Sequence, residues 1–399
     1  MIVLLADDLT GAAEVAGVCL RFGLKTAFGI NEVPDVVTKS LSTAGREGGM
    51  SAYDACVVAT DSRSLDADEA ARLHRNLAVA VKELKPSFVF KKTDSVLRGH
   101  VIDELMVLTE VFITGKVLLQ PANPSLGRCI KSGRYEINGR PLHETSFAED
   151  PDYPASTDSI AQLLEERRQL TTNLPVRIGA VTVEKPGIHV PDCTTVEALK
   201  TGLVPGCPGC LLAGSAAFLS ACLEVCLGMH VQQVVFKQDP MKGRYLLVCG
   251  SRHTQSRAFV ETAKRKGTAV VEFPDDFLQE AINTEALADW ADSLVEFWNR
   301  TGQMIITLSE KPVTFSNSGG VLTRRVAAVL GRLLEQCRVD ELILVGGATA
   351  WAILSYQHWH LMTPVEELAP GVVRLHIDNS PLYLTLKPGS YLWPDDLDT

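Results

Sequence analysis

Val3-Leu4-Leu5-Ala6-Asp7-Asp8-Leu9-Thr10-Gly11-Ala12-Ala13-Glu14-Val15-Ala16-Gly17 reads as a buried strand, an acidic turn and a helix in immediate succession. In an open parallel sheet, ligands bind beyond the carboxyl ends of the strands. Two adjacent carboxylates there, followed by a Gly-containing helix start, can hold hydroxyls, a metal ion or an anion. Burying such a pair merely to build a turn would be costly, because each carboxylate needs donors or a cation. The plainer alternative is an exposed, Asp-rich helix cap.

Moving outward from that turn, the first half of the chain alternates strand and helix. Lys25 to Phe28 is a short strand, and Ala55-Cys56-Val57-Val58-Ala59-Thr60 is another that runs into Asp61-Ser62-Arg63-Ser64. Asp66 to Leu84 is an amphipathic helix with Ala70, Leu73, Leu77, Val81 and Leu84 on one face. Phe88-Val89-Phe90 leads into Lys91-Lys92-Thr93-Asp94-Ser95-Val96-Leu97-Arg98-Gly99, and Lys116 to Leu119 into Gln120-Pro121-Ala122-Asn123-Pro124. This alternation predicts a doubly wound α/β domain whose polar strand ends converge on one sheet edge. Asp7, Asp8, Arg63, Lys91, Lys92, Asp94, Ser95 and Arg98 come from three of those ends, and the cations suit a substrate carboxylate. Singly, each has a plain reading as a solvated charge or incidental ion pair. The irregular stretch Asn138 to Pro154 reads as a lid or a surface connection.

The composition turns polar around Gln232 to Gly243, which sets the expected boundary between domains at 1-235 and 240-399. The second half repeats the alternation. The strand Arg244 to Cys249 runs into Gly250-Ser251-Arg252-His253, and the strand Glu341 to Val345 into Gly346-Gly347-Ala348-Thr349. Further strands are predicted at Ala269 to Phe273 and Gln303 to Leu308, with helices at Leu278 to Trp298 and Gly320 to Cys337. Both Gly-containing turns offer free amides and hydroxyls for phosphate, although neither matches a Walker loop or the dinucleotide fingerprint.

With 399 residues and 46% hydrophobic content, the chain has room for large cores in two or three domains. A net charge of -10 argues against a nucleic-acid partner held through phosphates. No apolar run reaches membrane-spanning length, and no leader or anchor is visible, so the cytoplasm is the expected compartment. Most of the ten cysteines lie in apolar stretches, where a thiol acts as a small hydrophobe. Cys207, Cys210, Cys222 and Cys226 have a spacing that admits a zinc reading, but the intervening Leu211 to Leu219 looks like a strand entering a helix.

Taken together, Ala6-Asp7-Asp8-Leu9-Thr10-Gly11-Ala12, Asp61-Ser62-Arg63, Lys91 to Gly99, Gly250-Ser251-Arg252-His253 and Gly346-Gly347-Ala348-Thr349 resemble the four-carbon acid sugar kinase family. Its members phosphorylate threonate, erythronate or 3-oxo-tetronate with ATP. The resemblance implies an N-terminal sugar-acid-binding domain and a C-terminal nucleotide-binding domain, both doubly wound α/β, facing each other across a cleft. By position, Asp7 or Asp8, Arg63 and Lys91 to Ser95 would bind substrate, while Ser251, Gly346, Gly347, Thr349 and Gly389 would bind ATP, with Ala348 inside that turn. Family members usually carry an acidic residue where this chain has Ala348, and Lys387-Pro388-Gly389-Ser390-Tyr391 matches the family's Lys- and Gly-rich ending imperfectly. Phosphoryl transfer needs the acceptor placed, charge neutralised by Mg²⁺ and cations, and a carboxylate for the hydroxyl proton, a task for Asp7 or Asp8. The resemblance leaves a homo-oligomer allowed. Two other readings remain: a sugar-acid sensor descended from a kinase, and a haloacid-dehalogenase phosphatase. The phosphatase needs two Asp separated by one residue, whereas Asp7 and Asp8 are adjacent.

Overall fold

In the computed structural model the described residues are 1–40, 52–150, 152–170, 174–179, 183–205, 209–232, 240–241, 243–308 and 318–393. The chain divides into two compact units, Met1–Gln233 and Val234–Thr399.

The first unit is built on β1 (Ile2–Ala6), β2 (Thr26–Ile30), β3 (Ala55–Ala59), β4 (Phe88–Lys92) and β5 (Lys116–Gln120). A small antiparallel sheet follows, made of β6 (Arg128–Lys131), β7 (Arg134–Ile137) and β8 (Arg140–Pro141). The chain then returns to the main sheet with β9 (Val176–Ile178), β10 (Gly187–Val190) and β11 (Leu211–Gly214). The main strands lie in the order β2-β3-β1-β4-β11-β5-β10-β9, every pair parallel. β1 sits inside this sheet with every residue buried, which explains its unbroken apolar run: a strand covered on both faces has no polar side to show. The helix Leu9–Arg21 packs against β3 and against the helix Ala216–Leu227, and the helices Ala67–Glu83 and Val101–Phe112 pack on each other.

The second unit contains β12 (Tyr245–Cys249), β13 (Val270–Glu272), β14 (Met304–Thr307), β15 (Glu341–Val345), β16 (Leu361–Ala369), β17 (Val372–Ile377) and β18 (Tyr383–Lys387). Their order is β13-β14-β12-β15-β18-β17-β16, and the first five are parallel. β17 runs antiparallel to both β16 and β18, a hairpin-like ending that a strictly alternating reading does not anticipate. Tyr245, Leu247, Cys249, Val260, Ala263, Ile305, Ile343 and Val345 form a core where β12, β14, β15 and the helix Thr254–Arg265 meet. The predicted helix from Leu278 begins instead at Thr284, because Asn283 accepts hydrogen bonds from the Glu285 and Ala286 amides and caps it there.

Among the described residues no helix is long and apolar enough to cross a membrane. Of the thiols weighed for zinc, Cys210 and Cys222 are free, whereas Cys226 is disulfide-bonded and so cannot be a thiolate ligand; Cys207 lies outside the described residues.

Candidate functional site

The first unit's site follows from register. Ala6 pairs with Ala59 on one side and with Lys92 on the other, so β1, β3 and β4 end level. The chain segments after them, Asp7-Asp8, Thr60 to Arg63 and Thr93 to Gly99, therefore leave the sheet at one edge.

Asp8 caps the helix Leu9–Arg21 in extended backbone conformation. Its Oδ1 accepts the Gly11 amide at 2.8 Å, and its Oδ2 accepts the Thr10 hydroxyl at 2.7 Å. Gly11 is required by space, because a Cβ there would lie 2.6 Å from Asp8 Oδ1. Arg63 joins the two carboxylates: Nη2 donates to Asp7 Oδ2 at 2.8 Å, and Nη1 lies 3.4 Å from Asp8 Oδ2. Burial pushes both carboxyls up. For Asp7 burial prevails and its pKa is raised; for Asp8 the Arg63 and Lys92 charges and the Thr10 hydrogen bond prevail and hold it low. The Asp7 side chain is 3% exposed and that of Asp8 18%, so Asp8 is the carboxylate that a ligand can reach.

Asp94 organises the third segment. Arg98 grips it bidentately, with Nε to Oδ2 at 3.0 Å and Nη2 to Oδ1 at 2.9 Å. The Val96 and Arg98 amides add bonds to Oδ2 at 3.2 Å. Burial opposes the Asp94 charge, but Arg98 and Arg63 outweigh it and hold this carboxyl well below the usual range. Leu97 sits at φ +63, an unusual conformation for a branched side chain, in the loop that these bonds hold in place. Arg98 continues to Asp150 at 3.0 Å, and the Tyr153 hydroxyl donates to the Arg63 carbonyl at 2.7 Å. The irregular stretch after Asn138 is thus tied to the site through Asp150 and Tyr153. Ser95 accepts a hydrogen bond from the Arg128 guanidinium.

In the second unit, β12, β15 and β18 are neighbours in register, so their ends also meet at one edge. The segments that follow are Gly250-Ser251, Gly346-Gly347-Ala348-Thr349 and Pro388-Gly389. Gly250 and Gly346 donate their amides to the Val345 and Lys387 carbonyls at 3.0 Å each. Two close approaches and one backbone conformation require glycine. A Cβ on Gly250 would fall 1.9 Å from Thr349 Oγ1, one on Gly389 would fall 2.1 Å from Ser251 Oγ, and Gly346 has φ +108. Ser256 Oγ donates to the Gly389 carbonyl at 2.7 Å, and Ala348 is exposed at the start of the helix Gly347–Tyr356. The structure therefore brings Ser251, Gly346, Gly347, Ala348, Thr349 and Gly389 together as a turn of backbone groups and hydroxyls.

A family described as the sugar-binding N-terminal domain matches residues 2–200, and one described as the nucleotide-binding C-terminal domain matches residues 246–391. Among curated relatives, a D-threonate kinase of Salmonella typhimurium is 25% identical over 95% of this chain and 93% of its own. A 3-oxo-tetronate kinase of Methylobacterium radiotolerans is 30% identical over 97% of this chain and 95% of its own. The chain belongs to the four-carbon acid sugar kinase family. The fold agrees: a crystal structure of a Salmonella typhimurium LT2 protein superposes with a TM-score of 0.75 over 98% of this chain and 96% of that one, at 18% identity.

In this kinase β4 runs through Lys92 instead of stopping at Phe90, and that decides where the two lysines point. Adjacent residues of a strand point to opposite faces. Lys92 lies toward the helix Leu9–Arg21, with Nζ 3.3 Å from Glu14 and donating to the Thr93 carbonyl at 3.0 Å. Lys91 points away from it. Its ammonium is fully buried 2.8 Å from Glu104 Oε2, beside His74, whose Nε2 is 3.7 Å from the same oxygen. The Ser62 hydroxyl donates to Glu104 Oε1 at 2.5 Å. Burial drives His74 down to about 4, whereas Glu104 is held to about 2 because His74 and Lys91 outweigh its burial. Lys91 is thus buried and paired with Glu104. Glu104 and Arg128 escaped the sequence reading, and a signal for Arg128 was available. Ser132-Gly133 and Asn138-Gly139 both have positive φ and form the two-residue turns of β6-β7-β8.

Proposed function

We propose that this kinase transfers a phosphoryl group from ATP to a hydroxyl of a four-carbon sugar acid of the threonate, erythronate or 3-oxo-tetronate type. The Met1–Gln233 unit takes the acid and the Val234–Thr399 unit takes the nucleotide. The observation that carries the reading is the partly open Asp8 carboxylate, capped by Gly11 and Thr10 and flanked by Arg63, at the level ends of β1, β3 and β4. Asp8 accepts the proton of the attacking hydroxyl, and Asp7 holds Arg63 in place from below. Arg63 and Lys92 keep the Asp8 carboxyl ionised, ready to orient the acceptor. In the second unit the Gly346-Gly347 turn, the Ser251 and Thr349 hydroxyls, Gly389 and the first-turn amides of the helix Gly347–Tyr356 present the small groups and donors that polyphosphate needs. Mg²⁺ would be carried on the nucleotide phosphates, with most of its remaining positions taken by water. A coupled ADP-release assay against a panel of four-carbon acids tests the reading. Acid-dependent ADP formation is expected. Acid binding by calorimetry without ADP formation would replace the kinase by a sensor.

A further inference from the structure

Every cation that the sequence singles out for the substrate's carboxylate is already held by this chain's own acids. Arg63 lies against Asp7, Asp8 and Asp94; Arg98 against Asp94 and Asp150; Lys91 against Glu104; and Lys92 against Glu14. Arg167, also nearby, donates to the Val96 and Tyr153 carbonyls. Arg128 differs. Its Nη1 donates to Ser95, its guanidinium lies 5.7 Å from the centre of the Phe147 ring, and among the described residues it has no carboxylate partner.

The surroundings of Arg128 also lack something. The Thr93 hydroxyl, the Asn123 side-chain oxygen and the Tyr135 hydroxyl are buried without a hydrogen-bond partner, and Tyr135 is fully buried. Of these, the Asn123 and Tyr135 side chains are neighbours of Arg128 by construction. Asn123 and Arg128 exchange backbone hydrogen bonds at 2.9 and 3.1 Å. In the β6-β7 register Arg128 faces Ile137 and Tyr135 faces Ile130, so Arg128 and Tyr135 are diagonal neighbours on one face. Beside Ser95 and diagonal to the Tyr135 hydroxyl, the Arg128 guanidinium has further donors to offer an anionic, hydroxylated partner.

We propose that Arg128 binds the carboxylate of the sugar acid, with the Ser95, Tyr135 and Asn123 side chains meeting that end of the substrate and its neighbouring hydroxyl. This rests on the kinase reading above and moves the carboxylate grip from Arg63 and Lys92 to the small antiparallel sheet. A planar guanidinium with free donors takes a carboxylate bidentately, which the paired cations cannot do without losing their own acids.

The test is Arg128→Met and Arg128→Lys on the full chain, assayed with the best four-carbon acid and with the tetritol that carries a CH₂OH in place of its carboxylate. Arg128→Met should raise the KM for the acid about 10- to 100-fold while leaving the KM for ATP and the melting temperature unchanged. Turnover of the tetritol, poor in wild type, should be equally poor in the variant. Arg128→Lys should fall between the two, because a point charge replaces a fork, and it serves where Arg128→Met does not fold. An unchanged KM for the acid, or an equal loss for acid and tetritol, would overturn the inference. If wild type shows no acid-dependent ATP turnover the kinase reading fails instead, and calorimetric binding of the acid to wild type and Arg128→Met still decides the role of Arg128.

Discussion

The two units finish their parallel sheets with opposite chemistry. At the level ends of β1, β3 and β4, charged side chains are packed under cover: Asp7, Asp94 and Lys92 are all buried, and Arg63 joins three carboxylates. At the ends of β12, β15 and β18 the working groups are glycines, amides and two hydroxyls, and the buried charge, Lys387, is turned onto the Pro388 and Tyr391 carbonyls. A small, stereochemically defined acid must be told from its isomers by side chains at fixed places. A polyphosphate, its charge met by Mg²⁺, is held by amides that can approach it closely. The first edge therefore fails by loss of a charge, the second by gain of a carbon atom.

The sharpest break of that contrast is at Asp8. Asp8→Asn should lower kcat by about 10²- to 10⁴-fold in steady-state assays. Its melting temperature should change little, because Asn also caps a helix. Near-full activity would place the chemistry elsewhere.

Gly250→Val is the matching lesion in the second unit. The added side chain displaces Thr349, whose Oγ1 would be 1.9 Å from the new Cβ. A displacement of that size should raise the KM for ATP by roughly 100-fold, with calorimetric affinity for the acid unaltered. Equal damage to both ligands would show that the two edges are not independent.

Lys91→Met separates support from contact. It leaves Glu104 buried without its ammonium partner, so chemical denaturation should show a loss of about 3–5 kcal/mol. In the folded fraction the KM for the acid should stay within about threefold of wild type, which corresponds to less than 1 kcal/mol. A rise comparable to that expected for Arg128→Met would return Lys91 to the substrate.

The smallest effect concerns pH. Burial lowers the Lys387 ammonium to about 8, so above that pH it loses the charge that strengthens its bonds to the Pro388 and Tyr391 carbonyls. The KM for ATP should rise about three- to tenfold between pH 7 and 9, and Lys387→Met should flatten that limb. The linkage has the opposite sign for stability: the folded value lies below 10.5, so unfolding binds a proton between about pH 8 and 10.5, and the second unit is stabilised as pH rises through that window.

Much of this was legible in the chain. The run Val3 to Ala6 announces a strand covered on both faces, and Asp8 with Gly11 announces the cap that follows. Glycine before Ser251 and at 346 and 347 marks a turn that must admit backbone or phosphate. At Lys91 and Lys92 the strand continues two residues past the point where apolar residues stop. A buried lysine paired with a glutamate looks polar in sequence and behaves as core in the fold.

What the sequence determined by itself is local. Apolar runs with period two or 3.6 specify which segments become strands and helices, and adjacent carboxylates before a glycine specify a cap, because these depend on neighbours a few residues away. Only the tertiary structure decided which charges remain available. Glu104 reaches Lys91, Asp150 reaches Arg98 and Arg63 reaches Asp7 across 13, 52 and 56 positions respectively, and pairing over such separations follows from strand order and register. That is why four prominent cations are committed to this chain's own acids, whereas Arg128, on a small sheet set apart from the main one, has no carboxylate partner among the described residues.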